Sequence, residues 1–170
     1  MQQRDRIKLQ KDMGRRCFVR AGVIAAAAGT AGCSSSTSWR FFTAAEAETI
    51  NAACECIIPA DQDPGAAWAG VVRYIDRQLA GKFKPHRQTY RRGIAALDRM
   101  AGGRFAQLSP VAQIDCLTKA ERDKELRAFF DLVVAHTMQG FYGSPRHGGN
   151  RDWVSWRMLR IPSSPVRGRA

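Results

Sequence analysis

Residues 43–58 have the sequence TAAEAETINAACECII, which is typical of a helix that begins with a capping box. In its first four residues, Thr43-Ala44-Ala45-Glu46, the Thr hydroxyl and the Glu carboxylate can satisfy free amide groups at a helix start. Apolar residues then recur at helical spacing, as Ile50, Cys54, Ile57 and Ile58. Because proline disfavours helix in the residue before it, we predict that this helix stops before Pro59.

The same periodicity continues after Pro59 and predicts two further helices. A turn-rich loop, Asp61-Gln62-Asp63-Pro64-Gly65, comes first. The second helix is predicted over residues 66–79, with one face formed by Trp68, Val72, Ile75 and Leu79. The third is predicted over residues 86–100, with an apolar stripe of Tyr90, Ile94 and Leu97.

Two more helices complete the predicted bundle. Ser109 is expected to cap the fourth, with Pro110 in the first helical position and Gln113 as the capping-box partner. The fifth is predicted over residues 124–139, ended by Gly140, and would bury Leu126, Phe129, Phe130, Val133 and Val134. No alternating run of β-branched residues indicates a strand. We therefore expect an all-α fold, a small bundle of about five helices with an irregular C-terminal arm.

The arm follows the fifth helix and has no helical periodicity. Turn-forming residues, aromatic residues and a histidine are mixed in residues 141–150, FYGSPRHGGN, and Trp153 and Trp156 follow. Such side chains either cover the core of the bundle or form a surface for a partner, and Tyr, Trp, Met and Arg are enriched at protein interfaces. The candidate partner-interface residues are Tyr142, His147, Asn150, Trp153 and Trp156. Residues 162–170 are expected to form a disordered basic tail.

Residues 1–32 have the pattern of a bacterial export signal. The pair Arg15-Arg16, with Phe18 two places later, matches the twin-arginine signal that exports folded proteins. The apolar segment after it, residues 21–31, is mostly Ala and Gly, too short and too weakly apolar to span a membrane. The alternative is a basic tail followed by an ordinary helix start.

The signal ends at a cysteine that is a candidate for lipidation. Thr30-Ala31-Gly32-Cys33 resembles a lipobox, in which Cys33 would accept the lipid and residues 33–42 would form a polar tether. An alternative Ala-x-Ala cut within residues 26–28 would release a soluble protein instead. Either route predicts a periplasmic protein, and lipidation at Cys33 would attach it to the membrane surface.

Charge suggests an anionic partner. The chain of 170 residues carries 27 Lys+Arg and 15 Asp+Glu, a net charge of +12. Residues 1–32 contain 7 of the basic and 2 of the acidic residues, so the remainder keeps 20 basic and 13 acidic residues, a net charge of +7. Nine basic residues lie in residues 73–104, which favours an anionic membrane or an acidic protein as the partner. Nucleic acid is not expected as a partner, because an exported protein rarely encounters it. The alternative is a solvated helical face.

The sequence contains no recognisable catalytic, metal-binding or cofactor-binding motif. It has no C-x-x-C-H for haem, no paired Cys/His spacing for zinc and no G-x-G-x-x-G for FAD. Three cysteines remain after the signal. Cys54 and Cys56 lie about 200° apart on one helix and cannot easily bridge each other. One of the two, with Cys54 favoured, could pair with Cys116 in a disulfide. The alternative is that all three cysteines are buried as free thiols.

Several short motifs resemble one known family. Pro59-Ala60-Asp61, Pro64-Gly65-Ala66, Tyr74-Ile75-Asp76-Arg77-Gln78-Leu79 and the Phe141–Asn150 stretch, closing with Trp156, resemble the gluconate 2-dehydrogenase subunit 3 family. The resemblance covers residues 41–161, and we place the helical domain at residues 43–161. It implies a small, gamma-type accessory subunit that binds no cofactor itself. Its implied partners are a large FAD-dependent dehydrogenase subunit, a multihaem cytochrome c that carries haem c, and the twin-arginine translocase.

Two functions from different classes therefore follow from the sequence. The first is a non-catalytic accessory subunit that escorts a folded flavoprotein through the twin-arginine pathway and stabilises the complex. The second is a stand-alone exported lipoprotein, a binding module attached to an anionic membrane or an acidic protein.

Overall fold

A computed structural model of the chain describes residues 38–162, and within this range the protein is helical with no β-strand. The described residues form six α-helices, which are α1 (Ala44–Ile57), α2 (Val71–Ala80), α3 (Arg87–Met100), α4 (Pro110–Arg122), α5 (Arg127–Tyr142) and α6 (Val154–Met158). Short 3-10 turns lie at Lys84–His86, Phe105–Gln107, Pro145–His147 and Arg151–Trp153. The all-α prediction is confirmed. The predicted export signal, the Cys33 lipobox and the basic tail beyond Pro162 lie outside the described residues and stay predictions.

Helix α1 begins as the capping box predicts. The Thr43 hydroxyl accepts a hydrogen bond from the Glu46 amide, and the Glu46 carboxylate accepts one from the Thr43 amide at 2.8 Å. Ile50, Ala53 and Cys54 on one side of the helix are fully buried. This side packs against α2, α4 and α5, which places α1 in the centre of the bundle.

The second helix starts later than predicted. Gly70 precedes it with φ 73°, a left-handed conformation that interrupts the helix over residues 66–79 and makes Val71 its first residue. Val72, Ile75 and Leu79 are buried as expected, but Trp68 is 40% exposed. The prediction that Trp68 shares one helical face with these residues was wrong, because Trp68 lies in the turn before the helix.

The Glu55 carboxylate, at the end of α1, binds two parts of the loop between α1 and α2. Glu55 accepts hydrogen bonds from the Ala60 and Ala67 amides, each at 2.8 Å. A Cβ on Gly65 would lie 2.5 Å from the Glu55 Oε1 atom, so only glycine leaves room for this carboxylate. The Pro-Ala-Asp and Pro-Gly-Ala motifs thus form a loop folded around the end of α1.

Helices α4 and α5 correct one predicted capping partner and the predicted bounds of the fifth helix, which begins at Arg127 and not at residue 124. Ser109 caps α4 through a hydrogen bond from the Ala112 amide, but Gln113 is not its capping-box partner. Gln113 lies one residue too far along the helix, and its Nε2 donates to the Phe105 and Ala106 carbonyls. Gly140 does not end α5, because the helix continues to Tyr142 and is capped at Gly143.

Helix α5 forms much of the core and packs against α1, α2, α3 and α4. Phe129, Val133 and Phe141 are buried, whereas Leu126, Phe130 and Val134 are only partly covered. His136 is buried on the same helix, 4% exposed, and its Nδ1 forms a hydrogen bond with the Tyr90 hydroxyl at 2.9 Å. Its ring stacks on Phe83 at 4.1 Å between centroids.

A buried carboxylate on α2 fixes the segment that leads into α1. Asp76 is 3% exposed and accepts hydrogen bonds from the amides of Arg40, Phe41 and Phe42, at 2.9, 2.9 and 3.0 Å. Buried charges are stable in proteins when hydrogen bonds compensate them. Residues 40–42 are therefore held on α2 through their backbone.

Cys54 and Cys116 are free thiols, so the disulfide between them is not formed. Cys54 faces α5 instead of α4, and its Sγ accepts a hydrogen bond from Thr137 Oγ1 at 3.1 Å. Burial raises the pKa of Cys54 to about 12, so the thiol stays protonated. Cys56 is the residue that faces α4, where it contacts Gln113 Oε1 at 3.5 Å.

Within residues 38–162, the helices are all too short or too polar to cross a lipid bilayer.

Candidate partner interface

The C-terminal arm, residues 143–161, turns back onto the end of α5 and the start of α2. The turn depends on close contact between two glycines. A Cβ on Gly149 would lie 2.1 Å from the Gly140 carbonyl oxygen, so the arm can approach α5 here only because residue 149 has no side chain. The Arg151 amide donates to the Ala69 carbonyl at 3.1 Å and ties the arm to the turn before α2.

Asn150 holds the arm in this position from inside. It is fully buried, its Nδ2 donates to the Gly143 carbonyl at 2.9 Å, and its Oδ1 accepts from the Ser155 amide at 3.0 Å. One side chain thus connects the end of α5 with the first turn of α6. We assign Asn150 this structural role in place of the predicted contact with a partner, because its side chain is inaccessible.

The backbone of the arm is unusual. Asn150, Asp152 and Trp153 have φ values of 47°, 50° and 60°, in the left-handed region that non-glycine residues rarely occupy. Each such residue costs roughly 1–3 kcal/mol and persists only when its surroundings fix it. The hydrogen bonds of Asn150 and the packing of Gly149 provide that constraint. The arm therefore has one defined shape.

Two tryptophans of the arm contact each other, and one of them also contacts the end of α5. The Trp156 indole Nε1 donates to the Tyr142 carbonyl at 2.8 Å, which satisfies one of the free carbonyls at the helix end. The Trp153 ring lies 4.9 Å from the Trp156 ring, and both side chains are half-buried. On the other side of the arm, the Arg151 guanidinium lies over the Trp68 ring at 5.5 Å.

These contacts leave a surface rich in aromatic and other apolar groups. Six of the nine large hydrophobic residues that are exposed in the described part of the chain lie at the end of α5, in the arm or beneath Arg151, which makes this region the strongest candidate interface. We call this region the arm surface, and it consists of Trp68, Met138, Tyr142, Trp153, Trp156, Met158, Leu159 and Ile161. Aromatic residues and Met are enriched in protein interfaces and anchor many of them.

Basic residues border the arm surface. Arg146, Arg151, Arg157 and Arg160 are exposed, and Asp152 is the acidic residue among residues 143–161. The ion pairs found between residues 38 and 162 involve Arg91, Arg104 and Arg127, none of which belongs to this group. A partner that fits the arm surface would therefore be apolar at its centre and acidic at its edge.

The predicted interface residues fall into three groups. Tyr142 is 39% exposed and His147 is also exposed, so both are accessible. The Trp153 and Trp156 side chains are partly exposed, and the Asn150 side chain is fully buried. Trp68 was not among the predicted interface residues, and Gly70 was the signal for its exposure, since a glycine there allows the turn that exposes the tryptophan. Arg15, Arg16, Phe18 and Cys33 lie outside the described residues.

A groove of about 440 Å³ beside α1 is a weaker candidate. Its two acidic lining residues are already engaged, because Glu55 binds the loop amides and Glu48 pairs with Arg104 at 2.6 Å. Residues 38–162 also contain no group of three or more His, Cys, Asp or Glu side chains that could hold a metal ion.

Residues 44–162 match the family model of gluconate 2-dehydrogenase subunit 3. Comparisons with curated proteins and with solved structures gave no match. The family match extends from the first residue of α1 to the end of the arm, so it includes the arm surface and the loop organised by Glu55. It also covers well over half of the chain. The protein therefore belongs to the gluconate 2-dehydrogenase subunit 3 family.

Proposed function

We propose that this chain is the small accessory subunit of a periplasmic, FAD-dependent sugar or sugar-acid dehydrogenase. Family membership supports a partnership with other dehydrogenase subunits. In the proposed complex, a large subunit binds FAD and oxidises the substrate, and a multihaem cytochrome c carries the electrons towards quinone. The chain described here contributes binding and stabilisation and no catalytic residue.

The proposed role in export follows from the N-terminal signal. A flavoprotein acquires FAD in the cytoplasm and must cross the membrane folded. If it has no signal of its own, it can travel bound to a partner that has one, and Arg15, Arg16 and Phe18 supply a twin-arginine signal. Lipidation of Cys33 would then keep the exported complex at the membrane surface.

The observation that carries the proposal is the arm surface and its fixed shape. A binding surface that is already ordered loses less conformational entropy on association than a flexible one. Asn150 and Gly149 order the arm from inside, while Tyr142, Trp156 and Met158 face outward in part or in full. An accessory subunit that must hold a large partner through export needs a preformed surface of this kind.

The test is a gentle affinity purification of the protein from membranes, read by flavin absorbance and mass spectrometry. We expect a yellow flavoprotein in equal amount. Tyr142→Ala removes an exposed aromatic anchor, and losses of about 2 kcal/mol at such positions would weaken retention of the flavoprotein roughly 30-fold. The melting temperature should change little, because Tyr142 is 39% exposed.

The matched control is Met100→Ala, which removes a 37% exposed apolar residue at the end of α3, outside the arm surface. It should leave flavoprotein retention unchanged. A colourless protein that elutes alone with lipid on Cys33 would contradict the proposal and favour the stand-alone lipoprotein. Equal losses in the two variants would remove the arm surface from the interface.

A further inference from the structure

A second surface lies where the chain enters the folded domain, and its residues are different from those of the arm surface. The amides of Arg40 and Phe41 are fixed to Asp76, so this entry segment has a defined path over α2. Aromatic and basic side chains gather around it. We call them the N-terminal basic face, which consists of Trp39, Arg40, Phe41, Arg73, Lys84, Arg87 and Arg91.

Cation–π contacts hold this face together. The Arg73 guanidinium lies over the Trp39 ring at 5.7 Å. The Arg87 and Arg91 guanidinium groups lie over the Phe41 ring at 5.2 and 4.4 Å. The two aromatic rings, both half-buried, are therefore surrounded by positive charge.

Two basic residues of α3, Arg87 and Arg91, lie on the same side as the entry segment. They are four residues apart and so share one side of the helix, and Lys84 lies in the 3-10 turn that leads into α3. Arg87 also donates to the Leu79 carbonyl at 2.7 Å, and Arg91 donates to the Phe41 carbonyl at 2.8 Å. Two of the three are thus fixed in direction by the fold.

Two carboxylates of the described residues, those of Glu46 and Asp76, lie beside this face. Glu46 pairs with Arg91, and the Asp76 carboxylate is buried and occupied by three amides. Among the described residues, the Arg40 and Lys84 side chains have no acidic partner, and both residues are exposed. The face is therefore strongly positive, with aromatic rings in its centre.

Chain length brings this face close to the candidate lipid anchor. Cys33 precedes Trp39 by six residues, and six fully extended residues span at most about 20 Å. A lipid on Cys33 would keep the entry segment within that distance of the bilayer surface. Tryptophan is enriched at membrane interfaces, and basic residues near an anionic surface are attracted to its headgroups.

We propose that the N-terminal basic face binds anionic phospholipid headgroups and orients the exported protein on the membrane. The proposal rests on the export and lipidation parts of the proposed function and does not depend on the dehydrogenase partner. In this orientation, Trp39 and Phe41 face the interface and Arg40, Arg73 and Lys84 contact headgroup phosphates.

The test uses the full-length gene with Cys33→Ser, so that no acyl chain contributes, and the exported protein is floated with vesicles. We expect binding to vesicles that contain phosphatidylglycerol and none to pure phosphatidylcholine. A triple variant, Arg40→Gln with Arg73→Gln and Lys84→Gln, should lower the partition coefficient roughly 100-fold, since each basic residue near an anionic surface contributes about fivefold. High salt should release the parent protein.

The matched control loses three charges elsewhere, through Arg99→Gln, Arg122→Gln and Lys124→Gln, all exposed positions near the C-terminal end of α3 or at and just beyond that of α4. It should bind vesicles as the parent does. Equal vesicle binding by the parent and the first triple variant would overturn the proposal, as would an equal loss in the control. If the first triple variant still binds vesicles but no longer retains the flavoprotein, the N-terminal basic face contacts the flavoprotein and not the lipid.

The same samples separate this proposal from the proposed function. Vesicle binding by a protein that never retains a flavoprotein would overturn the dehydrogenase partnership alone. Replacement of Arg40 and Arg73 by Lys, which keeps the charge, should preserve vesicle binding, and circular dichroism confirms that each variant is folded.

Discussion

His136 takes its properties from the residues that surround it. It lies between Phe83 and Tyr90, 4% exposed, and one of its two nitrogens bonds to the Tyr90 hydroxyl. Burial and, to a smaller extent, the nearby His86 lower the pKa of His136 to about 4. In the unfolded chain the ordinary pKa is about 6.5. The proton therefore binds more tightly to the unfolded chain than to the folded protein.

This difference predicts a loss of stability in acid. As the pH falls from about 6.5 to about 4, His136 binds a proton in the unfolded chain but not in the folded protein. This difference removes up to about 3 kcal/mol of the free energy of unfolding. Above pH 6.5 the contribution is fully present. Denaturant unfolding at pH 7 and at pH 4.5 measures the difference, and His136→Phe should reduce it.

The matched control is His147→Gln, an exposed histidine in the arm. It should keep the pH dependence of the parent, because His147 makes none of the contacts that bury His136. The expectation is contradicted if His136→Phe and the parent lose the same free energy between the two pH values.

Among the structural elements, α2 both packs in the core and holds the segment that precedes α1. Its Asp76 carboxylate binds the entry segment through three amides, a connection that the sequence alone does not show. Asp76→Asn should lower the free energy of unfolding by about 2 kcal/mol. An amide has one acceptor oxygen where the carboxylate has two, and hydrogen bonds to charged groups are stronger than those to neutral ones.

Hydrogen exchange locates the expected effect of Asp76→Asn. The amides of residues 40–42 should exchange much faster, while those in the middle of α5 follow only the change in overall stability. Asp61→Asn is the control, since Asp61 accepts a hydrogen bond within an exposed loop and should cost about 0.5 kcal/mol or less. Unchanged protection at residues 40–42 would show that the entry segment is held by other contacts.

The elements also show how far the sequence predicts the fold. Local signals were reliable: Thr43 and Ser109 cap α1 and α4, and the stripe of Tyr90, Ile94 and Leu97 is buried on α3. The boundary at Gly140 was wrong because its missing side chain serves packing, as a Cβ there would lie 2.9 Å from the Tyr74 ring. Periodicity cannot distinguish a glycine that ends a helix from one that admits a neighbour.

The arm was the hardest part to predict for the same reason. Its composition indicated turns and an interface, and both Asn150 and Tyr142 were predicted to contact a partner. In the structure Asn150 is fully buried and Tyr142 is exposed. Which of them faces inward depends on Gly149 and Gly140 meeting across the fold. Long-range contacts of this kind leave no local pattern.

For the whole molecule, the proposed export role predicts that one signal carries two proteins. Arg15→Lys with Arg16→Lys should leave both this chain and its flavoprotein in the cytoplasm, because the twin-arginine pair is the recognition element. Dehydrogenase activity and flavoprotein in the periplasmic fraction are the measurements. Arg4→Lys with Arg6→Lys makes the same chemical change in the same segment and should not affect export. Normal periplasmic activity in the first double variant would contradict the escort role.

The attachment of the entry segment to Asp76 also determines how the domain bears mechanical force. A pull on the chain ahead of Trp39 reaches the domain through the three hydrogen bonds to Asp76, together with the Arg91 bond to the Phe41 carbonyl and the Arg73 contact with Trp39. Because the three amides are consecutive in the chain, the bond from Arg40 is loaded first, and all three pass the force to a single residue of α2. The tension then passes into α2, in the interior of the bundle, before it reaches the first turn of α1.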